Sequence, residues 1–166
     1  MRRGRESDSR ERSDRAIHAL VWTALVTLGV ECTACAGRDV TLQTTQAREM
    51  EALLDALASV ESNNNPGAVG DHGRARGLYQ IHRAYWDDGT RLLGVNWPHS
   101  EAFNPEKARC VVRAYLLHYG GDRSLADKAR IHNGGPCGYR RSSTVAYAQR
   151  VGQLLAQRLQ AATVGP

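Results

Sequence analysis

Apolar residues return every three or four positions over five stretches of this chain, and the breaks between them carry residues that stop helices. Met50, Leu53, Leu54, Leu57 and Val60 form the first stripe, which predicts a helix over 44–61 with Thr44 or Thr45 capping its start. Asn63-Asn64-Asn65-Pro66-Gly67 ends it, because these residues favour turns and proline cannot continue the backbone ladder. From Gly67 to Gly77 the chain is glycine-rich and carries no helical stripe, which predicts a loop or a small hairpin. Residues 78–93 predict a short helix carrying Tyr79, Ile81, Tyr85 and Trp86, and Asn96-Trp97-Pro98 breaks the chain again. Asn104-Pro105-Glu106 opens the clearest helix, with an N-cap residue, proline at the first position and an acid in the first turn. Its inward face is Ala108, Val111, Val112, Tyr115, Leu116 and Tyr119, and Gly120-Gly121 ends it. A shorter helix runs over 124–132 into Asn133-Gly134-Gly135-Pro136. The last begins at Ser142 or Ser143 and turns Val145, Val151, Leu154, Leu155 and Leu159 inward. Five helices and one glycine-rich excursion, without repeats, make a mainly α domain.

The N-terminus differs from the rest. Six arginines and four acids fill the first fifteen residues, a nearly unbroken apolar run covers 16–30, and Ala34-Cys35-Ala36 follows. A basic region, a short apolar core and small residues at the cleavage positions define a secretory signal over 1–36, with a domain over 37–166. The apolar run is shorter than the roughly 20 residues that a membrane crossing takes. An uncleaved anchor is the competing reading, and lipidation at Cys35 a third. The expected location is therefore secreted or periplasmic, with an anchored form as the alternative. Beyond Ala36, sixteen Lys and Arg face twelve Asp and Glu without a block of like charge. That scatter argues against nucleic acid as a partner and suits loose attraction to an anionic polymer. Cleavage would leave Cys110 and Cys137, which could bridge in an oxidising compartment, stabilising by roughly 3 kcal/mol, or stay as two thiols. Nothing in the sequence marks an oligomeric state.

Candidate chemistry starts at Glu61. A carboxylate at a helix C-terminus faces the negative end of the helix dipole, and partial burial acts in the same direction. Both raise its pKa and keep a proton ready for general-acid cleavage of a glycoside; the competing reading is a solvated helix-end acid. Asp71, in Gly70-Asp71-His72-Gly73, is the candidate second carboxylate, set against the ordinary role of aspartate as a turn former. Asp87-Asp88 reads as an exposed acidic pair. His72, His82, His99, His118 and His132 show no metal-ligand spacing, so neither metal nor cofactor is expected. His132 and Asn133, with Gly134 allowing a sugar to approach the backbone, read either as substrate contacts or as a helix C-cap.

The run Lys128 to Val151, K-A-R-I-H-N-G-G-P-C-G-Y-R-R-S-S-T-V-A-Y-A-Q-R-V, closely resembles the signature of the invertebrate-type lysozymes, or destabilases. Gly77-Leu78-Tyr79-Gln80-Ile81-His82 through Asp88, Val111–Leu116 with Tyr119-Gly120, and Glu61-Ser62 with Asp71-x-Gly73 are similar to its other motifs, in order. The resemblance covers Leu53 to Val151. It implies a lysozyme-like helical fold with the glycine-rich loop or hairpin beside the active-site helix. It also implies a muramidase that cuts the β-1,4 bond between N-acetylmuramic acid and N-acetylglucosamine in peptidoglycan or a chitooligosaccharide-type glycan. Glu61 would be the acid and Asp71 the second carboxylate; Tyr79, Gln80, His132, Asn133, Gly134 and Tyr147 would bind substrate. Three departures stand out. Nearly all of the family's disulfide cysteines are missing. The stretch from Asp71 to Gly77 is about one residue short. Arg74-Ala75-Arg76 replace a serine-bearing segment, so the isopeptidase activity of some members is not expected. Lytic transglycosylases, which use one acid and form 1,6-anhydro products, share Glu61-Ser62, Gly77-Leu78-Tyr79-Gln80, Asn133 and Tyr147. A non-catalytic wall-binding module is the reading from a different class.

Overall fold

The computed structural model describes residues 33–163, with side chains over 44–160. The basic and apolar parts of the segment expected over 1–36 lie outside the described residues. The chain divides after Leu42 into a first unit, Met1–Leu42, and a second, Gln43–Pro166, which holds the core and the cleft described below. No described helix is long and apolar enough to cross a membrane.

Helix α1 spans Thr33–Ser62, starting earlier than the apolar stripe alone indicates. Its buried face holds Leu53, Leu54 and Leu57, each fully buried and each stabilising the fold by about 2 kcal/mol relative to exposure. It ends where Asn63 and Asn64 adopt left-handed backbone angles (φ 54° and 62°), with their N–H groups donating to the Ser59 and Ala58 carbonyls. Asparagine tolerates that conformation better than other non-glycine residues. The Ser62 hydroxyl then donates to the Leu78 carbonyl at 2.9 Å, tying the helix end to the next segment.

The glycine-rich stretch is a small antiparallel hairpin: β1 (Val69–Gly70) pairs with β2 (Ala75–Arg76), with Val69 opposite Arg76 and Gly70 opposite Ala75. Its turn takes Asp71, His72 and Gly73 through positive φ. The helix expected from residue 78 starts later, as α2 (Arg83–Leu93). Gly77 and Gln80 both have positive φ, the Gln80 N–H closes on the Gly77 carbonyl, and Ile81 bridges back to Arg76. Tyr79 and Ile81 are therefore buried from a turn and a bridge, not from a helix face.

Helix α3 (Pro105–Gly120) begins as the sequence indicates, with the Asn104 side chain accepting from the N–H groups of Glu106 and Lys107. Helix α4 (Leu125–Gly134) is capped by Ser124, which accepts from the Asp127 N–H. Helix α5 (Val145–Thr163) follows a short 3₁₀ turn over Ser142–Thr144. Val145 points outward, contrary to the stripe expected for it, and Tyr147, Ala148, Val151 and Leu155 are the buried positions. Helices α2 and α3 pack closely because Gly89 has no side chain: a Cβ there would lie 2.6 Å from Val111 Cγ1. Helix α4 packs against α3 and α5.

Cys110 and Cys137 are free, so the bridge considered for them is not formed. Cys110 is half-buried on α3, whereas Cys137 is exposed in a turn held on α4. A Cβ on Gly138 would sit 2.0 Å from the Arg130 carbonyl oxygen, so that turn is fixed against α4 by backbone contact.

Candidate active site

The end of α1, the hairpin, the turn after it, α2 and the end of α4 enclose a cleft of about 710 Å³. Glu61, Asp71, Tyr79, Gln80, His132 and Asn133 all line it, so six of the sequence-predicted residues meet in one place. Gly134 and Tyr147 do not line it. Gly134 is a packing position, where a Cβ would come within 2.8 Å of Thr144 Cγ2. Tyr147 is buried behind Glu61 and donates its hydroxyl to Glu61 Oε1 at 2.7 Å.

Glu61 is largely enclosed, with its side chain 18% exposed. His132 Nε2 lies 3.4 Å from the same Oε1, and His132 Nδ1 lies 3.2 Å from the Tyr85 hydroxyl. The Tyr85 ring stacks on Tyr115 at 3.7 Å between centroids, which fixes the imidazole from behind. Both recorded partners of Glu61 thus hold one carboxylate oxygen. Burial pushes Glu61 up, but the His132 hydrogen bond and charge, the Tyr147 hydroxyl and the Arg150 charge outweigh it. They hold Glu61 below its ordinary range, which corrects the elevation expected from its place at a helix end. The sequence reading omitted the partner brought in by α4.

Asp71 sits on the exposed wall. Arg74 donates to it at 2.6 Å and His82 Nε2 lies 3.4 Å away. The Arg74 hydrogen bond, above all, keeps its carboxyl below the usual range. Tyr79 is 2% exposed, and its hydroxyl accepts from Arg109, which also pairs with Glu51 and Asp55 one turn apart on α1. Gln80 turns its amide N–H onto the Gly77 carbonyl at 2.9 Å, and its Oε1 passes over Gly70, where a Cβ would lie 2.2 Å away. A side chain at Gly70 would push the Gln80 amide aside.

Sequence reasoning missed Tyr85, Tyr115 and Asp88 as cleft residues. Both tyrosines appear in the predicted inward stripes, and periodicity does not show that the polar edge of an inward ring reaches a cleft. Asp88 is not a free surface acid: Arg91 and the Tyr119 hydroxyl bond to it at 2.5 and 2.8 Å. Among the described residues no group of three or more His, Cys, Asp or Glu is placed to hold a metal ion.

A long helix ending in an enclosed glutamate, with a small hairpin carrying an aspartate across a cleft and the remaining helices behind, is the lysozyme-like class of fold. No family model matches the chain. It is similar to Lysozyme 1 of Crassostrea virginica, 38% identical over 109 residues, 61% of this chain and 57% of that protein. It is also similar to a lysozyme of Magallana gigas, 33% identical over 120 residues, 65% of this chain and 82% of that protein. A chain in the crystal structure of Aeromonas hydrophila PliI in complex with Meretrix lusoria lysozyme superposes with a TM-score of 0.53 at 31% identity. That match covers 61% of this chain and 87% of the other. The chain belongs to the invertebrate-type lysozyme family. It spans a little over half the length of the Crassostrea virginica relative, 57%.

Proposed function

We propose that this chain is a muramidase that hydrolyses the β-1,4 bond between N-acetylmuramic acid and N-acetylglucosamine in peptidoglycan, exported by the segment over 1–36. The observation that carries this reading is the placement of Glu61 and Asp71 on the walls of one cleft, in a chain of lysozyme ancestry. Glu61 Oε1 lies 3.4 Å from His132 Nε2 in the enclosed wall of the cleft. A bound glycan displaces water, and loss of water disfavours the charged form of a carboxyl. Glu61 therefore takes up a proton as substrate binds and delivers it to the glycosidic oxygen as the bond to the sugar carbon breaks. Asp71, ionised, faces the positive charge that develops on that carbon. Water then adds to the carbon and returns its proton to a carboxylate, which restores the site.

One observation favours a second reading. Asp71 is exposed and already paired with Arg74 and His82, a turn-forming arrangement that does not require a catalytic role. In a lytic transglycosylase Glu61 alone would serve, first as acid and then as base toward the 6-hydroxyl of the muramic acid. Mass spectrometry of peptidoglycan digests separates the two. For the hydrolase, Glu61→Gln and Asp71→Asn each reduce reducing-end muropeptides by about 10²-fold or more, in line with the loss of a catalytic acid or base. Anhydro products that persist in Asp71→Asn would replace this reading with the transglycosylase. No products from the wild type would leave a wall-binding module.

A further inference from the structure

Most guanidinium groups of this fold have a carboxylate within ion-pair reach, as Arg74, Arg83, Arg91, Arg109, Arg113, Arg130 and Arg158 do. Among the described residues Arg123 and Arg140 are two of several that have none, and these two alone converge on one uncharged ring, that of Tyr139. The Arg123 guanidinium carbon lies 3.9 Å from the centre of the Tyr139 ring and that of Arg140 lies 5.2 Å from it. Both also donate to the Tyr139 hydroxyl, Arg123 at 3.2 Å and Arg140 at 2.9 Å. A phenol oxygen has two acceptor positions and one proton. With both positions filled, the cluster has only donors left to offer: the remaining guanidinium N–H groups and the phenol O–H. Two adjacent cations with only donors to present match an anion that accepts bidentately. The acids nearest along the chain do not fill that role. Asp127 is engaged by Arg130, and Asp122 adjoins the buried Lys128.

The placement is fixed by backbone. Gly138 seats its turn on the Arg130 carbonyl, its N–H donates to Gly135 at 2.7 Å, and the Arg141 N–H closes back on Gly138 at 3.0 Å. Gly135 and Pro136 line the cleft. Tyr139 follows Pro136 by three residues, a reach of at most about 11 Å. An anion held here would lie within reach of a polymer in the cleft.

We propose that Arg123, Tyr139 and Arg140 form a carboxylate-binding site on the rim of the cleft, which takes the free carboxylates of the peptide stems borne by the muramic acid residues of peptidoglycan. The choice of ligand rests on the muramidase reading; the donor-only geometry does not. The site would make the protein prefer glycan strands that carry peptide over bare ones.

The test compares full-length wild type with an Arg123→Gln/Arg140→Gln double variant on soluble glycan strands, with stems intact and after amidase removal of the stems. The expected result is a wild-type preference in kcat/KM for stem-bearing strands that falls about fivefold in the variant, through KM, as for the loss of exposed charge pairs. Tyr139→Phe, which keeps the ring and removes the hydroxyl, gives an intermediate fall and serves if the double variant does not fold. An unchanged preference, or equal losses on both substrates, overturns the site. If the wild type cleaves neither substrate, the muramidase reading has failed and the site is tested alone by NMR of the arginine Nε–H signals. Shifts of Arg123 and Arg140 on adding a muramyl peptide, abolished in the variant, support it, and no shift overturns it. Variant-sensitive binding of poly(glycerol phosphate) with unaltered muramyl-peptide binding overturns it in favour of a phosphodiester site.

Discussion

At the scale of single residues, the proposed chemistry turns on Glu61 Oε1, which both His132 and Tyr147 address. The His132 hydrogen bond and charge lower the Glu61 carboxyl in the fold. Replacing His132 by Gln should therefore raise it and move the limb of the kcat/KM profile that reports the acid to higher pH. A limb that stays in place, measured on the same glycan, would show that His132 does not tune the acid. Tyr147→Phe removes one hydrogen bond to the carboxylate and should lower kcat more than it raises KM, because Tyr147 lies behind Glu61 and outside the cleft. Glu61 and His132 were legible as single letters in the sequence. Their coupling was not, because it depends on α1 and α4 meeting across a separation that no periodicity encodes.

At the scale of elements, helix boundaries were readable where a side chain makes the cap and not where the backbone makes the turn. Asn104 and Ser124 cap α3 and α4 as their letters indicate. The segment from Leu78 to His82 reads as helix because Tyr79 and Ile81 are apolar, yet it forms a turn and a bridge, with Gly77 before it and Gln80 within it at positive φ. Gly77 shows the tertiary constraint. Its φ is +73°, and an added Cβ would sit 2.0 Å from the Ala102 carbonyl oxygen. Gly77→Ala should therefore destabilise the protein by about 2–4 kcal/mol, through strain and displacement of the Pro98–Asn104 segment. A urea midpoint within error of wild type would contradict that account. Gly73, also at positive φ but with open space around it, should show the backbone cost alone.

At the scale of the whole molecule, four carboxylates, Glu51, Glu61, Asp71 and Asp88, titrate below their ordinary values in the fold. The unfolded chain then binds more protons than the folded one at mildly acidic pH, so stability rises with pH through that range. Their contribution is complete above the unfolded carboxyl range, near pH 4 to 5, and is lost as pH falls through the lower folded values. Thermal midpoints should be level from pH 7 to about 5 and drop below about 4; a flat midpoint down to pH 3 would show that these pairs add nothing. The core residues were legible from the apolar stripes. The fate of the cysteines was not, because spacing says nothing of whether two thiols meet. Cys110 on α3 and Cys137 on the α4 turn remain separate thiols, so the described domain is closed by packing, hydrogen bonds and ion pairs without a bridge between them. The described domain therefore needs no bridge between Cys110 and Cys137 to reach its fold. It should refold from denaturant as well with a thiol reductant as without, and it suits production in the reducing interior of a host cell.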